Sequence, residues 1–325
     1  MNESGTRNVF PTLRSILDSE ALAEAVRAAY ALDVSSCVLL KPQLSDLYRL
    51  DTAQGPRIMR VYPHGLNLGK WIEAELRILQ TLDEGGVPVS LPIPRNDGSL
   101  LLPLEASEGE RNAVLFQYAH GRSLKRSKNL EDFSAFGEIA ARMHLEAGDL
   151  PEHVARVPLD TYSLLARPMD LLGAAYPEKS DEMEELREAV ESVTQGLEPL
   201  RRQTETWGFC HGNLNFSNVH LTAQGAFCLF DFEYCGPGWP AYDIATVLNF
   251  ESREPAKAFL EGYERIRPLL EAERAALPWL QVANKLWMLG TAASLTCVFG
   301  SQIITGDYFD HVMEFVRERM DGVGR

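Results

Sequence analysis

Between Phe209 and Asp243 the chain reads FCHGNLNFSNVHLTAQGAFCLFDFEYCGPGWPAYD, and this stretch concentrates side chains that can ligate a metal, orient a nucleophile and brace a loop. His211-Gly212-Asn213 is followed, after four intervening residues, by Asn218 and, after twelve more, by Asp231-Phe232-Glu233. The amide oxygen of Asn218 and the carboxylate of Asp231 are hard-oxygen ligands suited to Mg²⁺. A group at position 213, on the same short loop between two strands, would face the acceptor hydroxyl of a phosphoryl transfer, in which catalysis is largely positioning and charge neutralisation. The spacing is that of the pattern H-x-D-x-x-x-x-N followed by D-F-G, with Asn in place of the first Asp and Glu in place of the glycine. The bland rival is a β-hairpin whose Asn and Asp residues only make turns. Four matched elements in order count against it.

Other candidates for chemistry fall away. His144 lies in a helical pattern with Ile139, Ala140 and Met143 and reads as a satisfied core histidine. The set Cys210, His211, His220, Cys228 and Cys235 matches no common zinc spacing. Gly65 to Trp71 has one residue too few between its glycines, and no Ser or Thr follows Lys70, so it is not a P-loop. Gly236 to Ala241 fails as a dinucleotide fingerprint because Pro240 stands where the helix should already be running.

The elements that must position the first set are legible in outline. Cys37 to Leu40, Leu47 to Leu50 and Arg57 to Tyr62 are β-rich pieces separated by turn residues, an antiparallel meander. Ile72, Leu76 and Leu79 predict a helix that stops at Gly85-Gly86, and two more strands are expected at Leu100 to Pro103 and Ala113 to Tyr118. After Gly121, helical patterns dominate around 131–147, 181–203, 254–274 and 277–300, interrupted by a β-like insertion at 207–233. The expectation is a bilobal α+β arrangement, a small strand-rich lobe over 1–118 and a large helical lobe over 119–325.

Composition sets the class. At 325 residues and 45% hydrophobic, the chain can bury two cores. A net charge of −15 without any long Lys/Arg run argues against nucleic acid as a partner. Five cysteines (Cys37, Cys210, Cys228, Cys235 and Cys297) without CxxC pairs, and an acidic, h-region-free start, fit a reduced cytoplasmic setting. Leu286 to Gly306 is uncharged but too rich in Gly, Thr and Ser for a membrane span.

Segments FCHGNLNFSNV, LFDFEYCGPGWPAYDIA and AVLFQYAHGRS resemble the aminoglycoside phosphotransferase and choline kinase superfamily, in its homoserine-kinase-like and stress-response-kinase-like branch. EIAARMH at 138–144, FLEGYERIRPL and KLWMLG extend the likeness over nearly the whole chain. The resemblance implies a protein-kinase-like fold that binds ATP between its lobes and phosphorylates a hydroxyl, most often on a small molecule. It implies that His211 and Asp243 brace the catalytic loop, that Asn218 and Asp231 hold Mg²⁺, and that Phe116, Gln117, Tyr118 and Ala119 form the hinge facing adenine. Arg60 would contact phosphate with Glu75 as its ion-pair partner, and the glycine-free turn at Gln43 to Asp46, including Ser45, would cap the phosphates. Bland rivals stand beside two of these: an exposed strand position for Arg60, and a solvated helix carboxylate for Glu75, with Glu73 as competitor. Trp239, Tyr242 and Trp287 are candidates for the acceptor site and equally for the core.

One departure from the family matters. Where the family has the Asp that takes or orients the proton of the attacking hydroxyl, this sequence has Asn213, and an amide takes no proton at neutral pH. General-base help is worth roughly 10²–10⁴ in rate. Three readings compete: a working kinase that tolerates Asn213, a nucleotide-binding pseudokinase with a regulatory role, or a substitution made to trap a complex. A protein Ser/Thr kinase is a further alternative, and Glu233 a possible extra ligand or base.

Overall fold

The computed structural model describes residues 10–42, 44–65, 68–147, 155–200, 205–299 and 306–323. Gln43, residues 66–67 of the rejected P-loop, 201–203 of the second helical pattern and 300–305 of the uncharged stretch lie outside them, as does the side chain of Cys297. The chain divides into two compact units, Met1–Gly69 with Pro92–Tyr118, and Lys70–Leu91 with Ala119–Arg325.

The first unit opens with helix α1 (Ser19–Tyr30), whose start is fixed by Asp18: its carboxylate accepts from the backbone N–H of Glu20 and Ala21 at 3.0 and 2.9 Å. Strands β1 (Val34–Pro42), β2 (Asp46–Thr52), β3 (Gly55–Val61), β4 (Leu102–Ala106) and β5 (Gly109–Gln117) form one antiparallel sheet in the order β1-β2-β3-β5-β4. Alternation sends Tyr48, Leu50, Met59, Val61, Ala113 and Leu115 to one face, where they pack with Leu22, Ala23, Val26 and Tyr30 of α1. The opposite face carries Val38, Leu47, Ile58, Arg60 and Phe116, placed side by side by the registers Val38↔Arg49, Leu47↔Arg60 and Ile58↔Phe116.

The second unit contains helix α2 (Leu68–Glu84) from residue 70 onward, short strands β6 (Arg122–Ser123), β7 (Gly208–Cys210), β8 (Val219–Leu221), β9 (Phe227–Leu229) and β10 (Gly236–Gly238), and helices α3 (Leu130–Glu146), α4 (Arg167–Ala175), α5 (Ser180–Leu197), α6 (Pro240–Phe250), α7 (Arg253–Ile266), α8 (Glu271–Phe299) and α9 (Gly306–Val323). The sequence cut at 118 left residues 70–91 with the first lobe. They group with the second unit because Ser90 N–H donates to the Leu229 carbonyl and Leu229 N–H to the Pro88 carbonyl, both at 2.8 Å. The two expected helices over 254–274 and 277–300 break earlier, at 267–270, where Arg267 leaves the helix and pairs with Glu273 at 2.7 Å.

Helices α3 and α7 pack closely enough that a Cβ on Gly262 would fall 1.9 Å from the Ser134 carbonyl. That contact brings His144 of α3 and Tyr263 of α7 into hydrogen-bond distance, 2.8 Å from Nδ1 to the hydroxyl. Among the described residues no helix is long and apolar enough to cross a membrane.

Candidate active site

The loop between β7 and β8 carries His211, Asn213 and Asn218, and it is held from below by Asp243 in the first turn of α6. Asp243 is fully buried, and its carboxylate accepts the backbone N–H groups of His211 and Gly212 at 2.6 and 2.9 Å. The ring of His144 adds a third contact, 3.0 Å from Nε2 to Oδ2. His144 is the core histidine expected, and it also holds the group that holds the loop. Gly212 adopts φ 82°, and a Cβ there would meet the Tyr234 carbonyl at 2.3 Å, so only glycine fits.

His211 is itself buried. Its Nδ1 accepts from Asn213 N–H at 3.3 Å, which leaves Nε2 to donate to the Phe230 carbonyl at 3.1 Å. Burial pushes its pKa down, against the opposing pull of Asp243 and Asp231, so the ring is a neutral strut.

Hydrogen bonding sets the orientation of all three amides in the loop. Asn215 Oδ1 accepts from Ser217 N–H at 2.9 Å, so its Nδ2 is the donor to Asn213, at 3.0 Å to the carbonyl and 3.2 Å to Oδ1. Asn218 Nδ2 donates to the same Asn213 carbonyl at 3.0 Å. Among the described residues, Asn218 Oδ1 and Asn213 Nδ2 make no hydrogen bond. The first is an open acceptor, the second an open donor.

Asp231 emerges beside Asn218 because Phe230 N–H donates to the Asn218 carbonyl at 3.1 Å. Its backbone is left-handed, φ 70°, a conformation that residues other than glycine rarely hold and that is found repeatedly at functional sites. Arg156 stabilises residues 232–235, which directly follow Asp231 in the chain: its guanidinium donates to the carbonyls of Cys235 at 2.7 Å, Trp71 at 3.2 Å, Phe232 at 3.4 Å and, more closely still, Glu233. One side chain therefore ties the segment carrying Asp231 to helix α2. Arg156→Lys removes the planar fork that reaches several carbonyls at once. It is expected to lower phosphoryl transfer about tenfold and stability by about 2 kcal/mol, read by ADP release and thermal melting. No change in either would show the contacts to be incidental.

In the first unit, Arg60 is buried rather than exposed, with its guanidinium 5.3 Å from the centre of the Phe116 ring and 5.9 Å from that of Tyr62. On the same sheet face Val38 is 54% exposed and Leu40 50%, an open apolar surface beside a cation. Asp46, fully buried at the start of β2, pairs with Arg14 and, at 2.8 Å, with Arg111, so its carboxylate is committed to the fold; the preceding Ser45 is buried as well. Among the residues expected to face adenine, Tyr118 has Arg49 5.7 Å from its ring centre, and the Ala119 carbonyl accepts from His220 Nδ1 at 2.6 Å. Glu75 on α2 is buried, whereas its competitor Glu73 is exposed.

The pattern of the phosphotransferase enzyme family matches residues 38–279. A Deinococcus radiodurans protein of uncharacterised function is 35% identical over 318 residues, 95% of this chain and 92% of that one. A Rhodospirillum rubrum homoserine kinase is 30% identical over 242 residues, 72% of each chain. The chain belongs to the phosphotransferase enzyme family. The fold is also that of a solved amicoumacin kinase in complex with AMP-PNP and Ca²⁺ (TM-score 0.76, 19% identity, 94% of both chains) and of a microcompartment-associated aminopropanol kinase (TM-score 0.76, 23% identity, 92% and 95%). The sequence expectation of a kinase-like α+β phosphotransferase is met.

In this phosphotransferase the catalytic-loop candidates His211, Asn213, Asn218, Asp231 and Asp243 come together in the second unit, while Ser45, Arg60, Phe116, Gln117 and Tyr118 lie in the first. Tyr242 and Trp239 are core: Tyr242 is fully buried and accepts from Asn284 Nδ2 at 3.1 Å, with its pKa raised by burial. Trp287 stays near the loop, edge-on to Tyr234 at 4.8 Å. Sequence reasoning missed Arg156 altogether and gave His144 and His220 no part in the site.

Proposed function

We infer that this phosphotransferase uses ATP and Mg²⁺ to phosphorylate a hydroxyl of a small metabolite, such as an amino alcohol, a hydroxy amino acid or an aminoglycoside. The observation that carries the reading is the pairing of an unengaged amide oxygen at Asn218 with a carboxylate held in the left-handed region at Asp231. Among the described residues no three His, Cys, Asp or Glu side chains gather into a metal-binding group. A cation held by Asn218 and Asp231 would therefore complete its shell with phosphate oxygens and water, the habit of Mg²⁺ at nucleotide sites. Bound there, Mg²⁺ supplies neutralisation of the charge on the transferring phosphoryl group.

The remaining roles fall to the chain itself. Arg60 offers a fixed guanidinium to phosphate, and Val38, Leu47 and Ile58 offer an apolar face to a purine ring beside the hinge residues Phe116 to Ala119. The names of the relatives, a homoserine kinase and an aminopropanol kinase, support a small hydroxylated amine or amino acid as acceptor.

Purified protein with Mg·ATP and a pool of hydroxylated amines, amino acids and sugars is expected to release ADP only when acceptor is present, and EDTA is expected to bring the rate to background. Nucleotide binding without such release would favour a regulatory nucleotide-binding protein. Transfer of label to protein alone would favour a Ser/Thr kinase.

A further inference from the structure

The open atom of Asn213 is a donor, and its direction is fixed by a chain of hydrogen bonds rather than by choice. Ser217 N–H occupies Asn215 Oδ1, Asn215 Nδ2 must then donate, and the atom it meets on Asn213 must be Oδ1. What the site presents to an incoming nucleophile is therefore Nδ2–H, a group that welcomes an oxygen lone pair and takes no proton. An alcohol meeting this group keeps a proton that Asn213 cannot accept, which forfeits the roughly 10²–10⁴ of general-base help. A carboxylate brings no proton and accepts the Nδ2–H bond as a charge-assisted one. An Asp at this position would repel it.

Building on the phosphotransferase reading above, we propose that the site also transfers phosphoryl groups to carboxylate oxygen, forming an acyl phosphate, and that Asn213 Nδ2 directs it to ionised acceptors. In the step, a lone pair of the carboxylate oxygen forms the new bond to the γ-phosphorus as the bond from that phosphorus to the β–γ bridging oxygen breaks. The bonding pair leaves with ADP, charge is conserved, and no proton moves. No base is required, so the departure at position 213 is a fit to the acceptor and not a loss.

The test compares acceptor pairs that differ at the reacting carbon: glycine with ethanolamine, acetate with ethanol, and formate with methanol. ADP release is followed in parallel with hydroxylamine trapping of acyl phosphate as the hydroxamate. The expected result is hydroxamate formation and a carboxylate rate at least about tenfold above that of the matched alcohol, with the order inverted in Asn213→Asp. Release with alcohols but not carboxylates overturns the inference and leaves the phosphotransferase reading standing. Release with neither, in both the unaltered protein and Asn213→Asp, overturns both.

Discussion

Replacing Asp231 with Asn is expected to lower acceptor-dependent ADP release by roughly 10³-fold, about 4 kcal/mol of barrier, while leaving the melting temperature nearly unchanged. The two halves of the expectation have separate causes. Stability is spared because Asp231 is only partly buried and because Asn, like Asp, tolerates the left-handed conformation observed at φ 70°. Activity would be lost because a neutral amide cannot offset the charge of a divalent cation, and the other proposed ligand, Asn218, is already neutral. Asp231→Ala confounds the two effects, since alanine resists that backbone region. Steady-state ADP release against Mg²⁺ concentration checks the prediction. A fall of less than tenfold, with the same Mg²⁺ dependence, would remove Asp231 from the metal site.

Distance along the chain decided which parts of the site were legible in the sequence. His211, Asn213 and Asn218 share one loop, and Asp231 returns to them through the single hairpin of β8 and β9, so their spacing survives as a linear pattern. The first and last strands of the sheet's sequence, Val34–Pro42 and Gly109–Gln117, were expected too short because they are extended by their pairing partners and not by local composition, and the strand expected at Leu100 to Pro103 lies later, at Leu102–Ala106. Helix α1 left a signal that went unused: Asp18 as cap, then Leu22, Val26 and Tyr30 at fourfold spacing, all buried. Arg156 left none. Its partners are backbone carbonyls up to 85 residues away, and a carbonyl has no sequence signature. Nor could the direction of the Asn213 amide be read, because it depends on which atom of Asn215 a neighbouring N–H occupies.

The largest loss of stability is expected at Asp243. Alanine there would strand two backbone N–H groups and the His144 ring in a space without solvent. Breaking a buried charged network of this kind costs about 3–5 kcal/mol, a large part of the roughly 5–15 kcal/mol that holds a domain folded. Asparagine should fall between. Oδ2 serves both His211 N–H and His144, whereas Oδ1 serves only Gly212 N–H, so an amide turned with Nδ2 toward Gly212 forfeits one of three bonds, about 1–3 kcal/mol. The same turn places two donors face to face at Gly212 and lifts the loop whose position sets Asn213 and Asn218. A displacement of that order costs about 10²-fold in rate when reacting groups must be aligned. Asp243→Asn therefore separates bracing from folding: urea unfolding would show a modest loss while kcat falls steeply, and Asp243→Ala would lose both. Equal stability for the two variants would mean that the carboxylate holds the loop by its charge alone and not through its individual hydrogen bonds.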